Sequence, residues 1–92
     1  MRTSKHLKIH GRVQGVGFRY FTVQQAKDLE IDGWVANQSD GTVETVIQGY
    51  DSAVSEMIQR LRNGPITAKV TEIEEIPIND PPENYHGFKV RR

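Results

Sequence analysis

The 92 residues, with Lys+Arg 12 balancing Asp+Glu 12 for a formal net charge of 0, suffice for one core and exert no global electrostatic pull towards nucleic acid or an anionic membrane. The absence of cysteine excludes disulfides, thiolate nucleophiles and thiolate metal sites. No apolar run is long enough to span a bilayer, and the start of the chain leads into alternation rather than a signal-peptide core, so a cytoplasmic protein is expected.

Leu7, Ile9 and Val13 stand at period two, with Gly11 between them, and predict a first strand over 5–13. From Arg19 the pattern turns helical, with Phe18, Thr22, Ala26 and Leu29 on one face and an end near Glu30. Trp34-Val35-Ala36 opens a second strand. Ser39-Asp40-Gly41 is a turn signal, and 42–48 reads as a third strand with Val43, Thr45 and Ile47 on one face. Asp51 or Ser52 is positioned to cap a second helix, whose stripe is Val54, Met57, Ile58 and Leu61. Asn63-Gly64-Pro65 stops it. A fourth strand over 68–76 loses its phase between Val70 and Ile73, which predicts a bulge. Asn79-Asp80-Pro81-Pro82 predicts a rigid loop, and Phe88 and Val90 a short terminal strand.

The order β-α-β-β-α-β predicts a single α+β domain over 1–92 of the ferredoxin-like, split βαβ kind. Right-handed crossovers then place both helices on one face of an antiparallel sheet, against Leu7, Ile9, Val43 and Ile47. This fold hosts many activities, so function must come from a site.

The densest candidate is Gly11-Arg12-Val13-Gln14-Gly15-Val16-Gly17-Phe18-Arg19. Three glycines in seven positions let successive backbone N–H groups line one concavity, and the helix that follows adds unpaired N–H groups of its own. Arg19 supplies a charged fork suited to two phosphate oxygens. The pattern fits neither a P-loop nor a dinucleotide fingerprint, and the same glycines would also serve a plain strand-to-helix connection. A second constellation is Gly33-Trp34-Val35-Ala36-Asn37 followed by Asp40-Gly41-Thr42-Val43-Glu44. Asn37 offers an acceptor and a donor that suit a neutral water, where a carboxylate would repel a phosphate. Alone, it also reads as an ordinary turn residue.

Together these segments resemble the acylphosphatase family, with further matches at Gly49, Ala53-Val54, Gly64-Pro65, Ala68, Val70 and Phe88-x-Val90. The resemblance implies hydrolysis of an acyl phosphate to a carboxylate and inorganic phosphate. By that likeness the amides of Gly11, Arg12, Val13, Gln14, Gly15 and Val16 and the guanidinium of Arg19 hold the phosphate, and Asn37 positions the water. No metal or other cofactor is implied. No acyl pocket is legible, which implies broad tolerance for the acyl group. One departure is Glu30, where family members commonly carry glycine; a positive φ there would cost on the order of 1 kcal/mol.

His10, out of phase with Ile9, is expected on the opposite sheet face, and His6, His10 and His86 have no metal-ligand spacing. Glu72, Glu74 and Glu75 read as a solvated strand face. Asn37-Gln38-Ser39 matches a glycosylation acceptor only formally. The rival to an enzyme is a binding module, since domains of this family also occur inside larger carbamoyl-transfer proteins; a chain of one domain favours a free-standing enzyme. RNA binding would need aromatics on the central strands, and 42–48 has none. With no long exposed apolar stripe, a monomer acting on a small acyl phosphate is expected.

Overall fold

A computed structural model describes residues 1–78 and 82–92, so Asn79, Asp80 and Pro81 of the expected rigid loop lie outside the described residues. The elements are β1 (Arg2–Arg12), α1 (Phe18–Asp28), β2 (Asp32–Asn37), β3 (Val43–Tyr50), α2 (Asp51–Asn63), β4 (Lys69–Ile76) and β5 (Phe88–Arg91). They follow the expected order, in a sheet arranged β4-β1-β3-β2-β5.

β1 pairs antiparallel with β3 and β4, and β2 antiparallel with β3. The expectation of an antiparallel sheet needs one correction: β5 pairs in parallel with β2, matching Gly33 to Phe88 and Val35 to Val90. The cause is where the chain comes from. β4 runs opposite to β1 and leaves the sheet at the end where β1 and β2 begin, so β5, entering there, runs with β2.

Alternation decides which face is covered. Leu7 and Ile9 of β1, Val35 of β2, and Val43 and Ile47 of β3 form one core cluster with Phe18 and Ala26 of α1 and Val54, Met57 and Leu61 of α2. Both helices therefore cover one face, as expected. The other face combines paired charges with an apolar patch: Lys8 meets Asp40 at 2.8 Å and His10 meets Glu74 at 3.0 Å, while Trp34 and the buried Val46 lie beside His6. Glu74 and Glu75 are thus tied to β1 side chains, the latter to Lys5 at 3.0 Å, and do not merely face solvent.

The lost phase in β4 is a bulge: His10 pairs with Glu72 and Gly11 with Val70, which leaves Thr71 unmatched. α2 begins differently from the expectation. Its N-cap is Tyr50, extended and without a side-chain bond, because β3 runs straight into the helix. Asp51 is already helical, and its charge lies in the first turn where the helix dipole favours an anion. Gly64 ends α2 as expected, its N–H donating to the Arg60 carbonyl oxygen at 2.9 Å.

Candidate active site

Strand direction builds the site. β1 and β2 both run opposite to β3, so their C-terminal ends meet at one edge, where Ile9 pairs with Val43 and Val43 with Asn37. The loop that follows β1 lies beside Asn37 for that reason. β5 ends at the same edge, with Arg91 paired to Ala36.

The loop leading into α1 turns on Gly15 (φ +73°) and Gly17 (φ +80°), the latter being the helix N-cap. Both occupy the left-handed region that glycine enters without strain. The first α1 bond runs from Phe21 N–H to the Gly17 carbonyl oxygen at 3.0 Å, so the amides of Phe18, Arg19 and Tyr20 precede any helical acceptor. Among the described residues, the N–H groups of Gln14, Gly15, Val16 and Gly17 also find no acceptor in the protein. A run of unpaired donors thus leads into the positive end of a helix, which suits an anion.

A cavity of about 510 Å³ opens there. Of the residues singled out from sequence, Val13, Gly15, Arg19 and Asn37 line it. Among the described residues the Arg19 guanidinium enters no salt bridge. Asn37 Oδ1 is buried and, among the described residues, has no hydrogen-bond partner. An unmet acceptor of this kind costs about 1–3 kcal/mol unless something outside the chain satisfies it.

The other candidates brace the loop. Gln14 Nε2 donates to the carbonyl oxygens of Gln38 (2.8 Å) and Thr42 (2.9 Å). Thr67 Oγ1 donates to the Val16 carbonyl oxygen at 2.7 Å, and Arg12 Nη2 donates to the Thr67 carbonyl oxygen at 3.1 Å. Gly11 remains within β1, where its backbone passes hard against Lys69 and Thr71 of β4. The turn after Asn37 is held by Asp40 Oδ1, which accepts from the Thr42 amide (3.0 Å) and hydroxyl (2.6 Å). Bonds from Lys8 first and Thr42 second hold the Asp40 carboxyl well below the usual carboxylate range.

The family now follows from the whole chain. The Acylphosphatase family profile matches residues 5–90. The chain belongs to the acylphosphatase family. An acylphosphatase of Thermococcus kodakarensis is 46% identical over 89 residues, 97% of this chain and 96% of that one. The crystal structure of acylphosphatase from Bacillus subtilis superposes with a TM-score of 0.88 at 35% identity and 100% coverage of both chains. Full-length HypF in its phosphate- and nucleotide-bound form matches with a TM-score of 0.86 at 26% identity over 100% of this chain and 12% of that one. Acylphosphatases are hydrolases acting on acyl phosphates, so the chemistry expected from the two sequence motifs is that of the family.

Sequence reasoning missed part of the acylphosphatase cavity. Tyr20, Val23, Gln24 and Lys27 of α1 line it, as do Val90 of β5 and Arg92. Arg19, Val23 and Lys27 at i, i+4 and i+8 are a legible stripe, one position round from the buried stripe of Phe18, Thr22 and Ala26. The contribution of β5 was not legible, because alternation shows a strand but not its neighbour.

Proposed function

We propose that this chain hydrolyses acyl phosphates by in-line attack of water on phosphorus, without a metal. The amides of 14–17 and the Arg19 guanidinium gather the phosphoryl oxygens, and Asn37 Oδ1 accepts a hydrogen bond from the attacking water. The new bond joins the water oxygen to phosphorus while the bond from phosphorus to the acyl oxygen breaks. The carboxylate departs with the electron pair, and the water proton passes to a phosphoryl oxygen of the substrate. Such a reaction asks mainly for positioning and charge stabilisation. A carboxylate leaves readily, so no strong general acid is needed. The observation that carries the reading is that Asn37, whose buried Oδ1 has no partner among the described residues, lines one cavity with Arg19, which makes no ion pair among them.

The test is phosphate release from benzoyl phosphate in the presence of a chelator. Arg19→Gln is expected to lower kcat/KM by about 10²–10³ or more, the typical effect of removing one transition-state donor. Asn37→Ala is expected to act on kcat, and inorganic phosphate to inhibit competitively. Wild-type rates in folded Arg19→Gln would overturn the assignment.

The reading includes one domain over 1–92 acting as a cytoplasmic monomer; among the described residues no helix is long and apolar enough to cross a membrane. The likeness to a segment of HypF supports a second reading, in which the cavity holds a phosphate compound as a module of a larger system. Absence of turnover in a folded sample that still binds phosphate would favour it.

A further inference from the structure

The peptide unit that joins Val16 to Gly17 is held from one side. Thr67 Oγ1, on the loop between α2 and β4, donates to the Val16 carbonyl oxygen at 2.7 Å. The C=O and N–H of a trans peptide point in opposite directions, so this bond turns the Gly17 N–H away from Thr67. Gly17 lines the cavity with Gly15, Arg19 and Asn37, and Thr67 does not. The plane thus has its acceptor end occupied by the protein, while its donor end finds no acceptor among the described residues.

Little in the loop itself keeps the plane that way round. A peptide plane turns over through opposite changes in ψ of the residue before it and φ of the residue after it. Here the residue after it is Gly17, at φ +80°, and glycine reaches negative φ as readily. Turned over, the unit would offer a phosphate the negative end of a carbonyl in place of a donor. Thr67 is suited to prevent this, because its own backbone is tied at two points. The Ala68 N–H donates to the Pro65 carbonyl oxygen at 2.9 Å and closes a turn across Thr67. The Thr67 carbonyl oxygen accepts from Arg12 Nη2 at 3.1 Å. The β-branched side chain is also stiff at χ1.

We propose that Thr67 is a positioning residue of the phosphate loop: its hydroxyl fixes the Val16–Gly17 plane so that the Gly17 N–H faces the phosphoryl group. Arg12, which does not line the cavity, acts by holding Thr67 in place. This rests on the hydrolytic reading above. Thr67 touches neither substrate nor water and works through one backbone donor. Inorganic phosphate and the phosphoryl group of the substrate meet that same donor, so product binding and turnover depend on it together.

The experiment uses Thr67→Val, which removes the hydroxyl and keeps the branched shape, and Thr67→Ser, which keeps the hydroxyl. Thr67 is exposed and Val16 half-buried, so water can take over the vacated carbonyl oxygen, and the urea midpoint of Thr67→Val is expected to match the wild type. Amide proton shifts of isotope-labelled protein are followed during titration with inorganic phosphate, beside kcat/KM for benzoyl phosphate. In the wild type and Thr67→Ser, the Gly17 amide proton is expected to move downfield as phosphate binds. In Thr67→Val that movement is lost while the Gly15 amide still responds. There kcat/KM falls about tenfold, less than for outright removal of a donor, because the amide itself remains. Arg12→Gln should show a smaller loss of the same kind and add little to Thr67→Val, as expected of residues acting in series. Retention of the Gly17 movement or of wild-type kcat/KM in Thr67→Val overturns the proposal. So does an equal loss of response across 14–17, which would make Thr67 a general brace. In each of these cases wild-type turnover of benzoyl phosphate leaves the hydrolytic reading intact. A folded wild type that neither binds phosphate nor turns over benzoyl phosphate overturns both.

Discussion

The Gln14 side chain crosses from the loop after β1 to the turn after β2, its Nε2 lying 2.8 Å from the Gln38 carbonyl oxygen. Gln38 follows Asn37 directly, so one carboxamide links the amide-lined loop to the cavity-lining asparagine whose Oδ1 is buried and unmet among the described residues. A second bond, to the Thr42 carbonyl oxygen at 2.9 Å, fixes the link at two points.

Gln14→Ala separates placement from stability. Both carbonyl oxygens keep another donor, Gly41 N–H on Gln38 (3.2 Å) and Gln38 N–H on Thr42 (2.9 Å). The loss in unfolding free energy is therefore expected to stay near 1 kcal/mol. kcat is expected to fall about tenfold, because small misplacements near reacting atoms are costly. Steady-state kinetics beside urea unfolding checks this; an unchanged kcat refutes the bracing role.

Gly11 and Gly15 should respond differently to alanine. A Cβ on Gly11 would collide with the Lys69 carbonyl oxygen and sit 2.9 Å from the Thr71 amide nitrogen, both backbone atoms. The β1–β4 pairing at the bulge would have to open, at a cost of about 3 kcal/mol or more. A Cβ on Gly15 meets nothing within 4 Å, and only its φ of +73° opposes it, at about 1–2 kcal/mol. Urea midpoints of the two variants give the order directly.

Glu30 has a φ of +56°, the conformation foreseen where the family usually has glycine. It follows α1, and the neighbouring Ile31 N–H closes back on the Ala26 carbonyl oxygen at 2.8 Å. Glu30→Gly relieves a left-handed strain of about 1 kcal/mol, partly offset by the greater freedom of glycine in the unfolded chain. A rise in Tm of a few degrees is expected, with kcat unaltered. An equal or lower Tm would mean that the entropy of glycine outweighs the strain.

Asp40 sets a pH dependence. Its Oδ2 lies 2.8 Å from Lys8 Nζ, and that bond, with those from Thr42, depresses its folded-state pKa. A depressed carboxyl stabilises the fold fully above the unfolded value, about 3.9, and loses that contribution as pH falls below it. The fall in urea midpoint from pH 6 to pH 2.5 is therefore expected to be larger in the wild type than in Asp40→Asn. Identical falls would show that the turn makes no use of the charge.

Much of this molecule is legible in its sequence where a local rule decides the outcome. The stripe of Val54, Met57 and Leu61 and the bulge at Thr71 follow from spacing, while the left-handed Glu30 was foreseeable only through the family likeness, since glutamate itself disfavours that conformation. Arg19 and Asn37 share a cavity because β1 and β2 run the same way, which the split βαβ order already requires. What escaped depends on the path of the chain. The parallel pairing of β5 follows from where β4 leaves the sheet, and Tyr50 rather than Asp51 precedes the helix because β3 flows into it without a turn. Gly11 and Gly15 look alike as letters, yet one is pressed against a neighbouring strand and the other is open on its side-chain side.

The donors of 14–17 belong to the main chain, and that has an evolutionary consequence. Every amino acid except proline carries the same N–H, so neutral drift at Gln14 or Val16 cannot delete a donor by exchanging one side chain for another. The charge and the carboxamide of the hollow, by contrast, each rest on one side chain, Arg19 and Asn37.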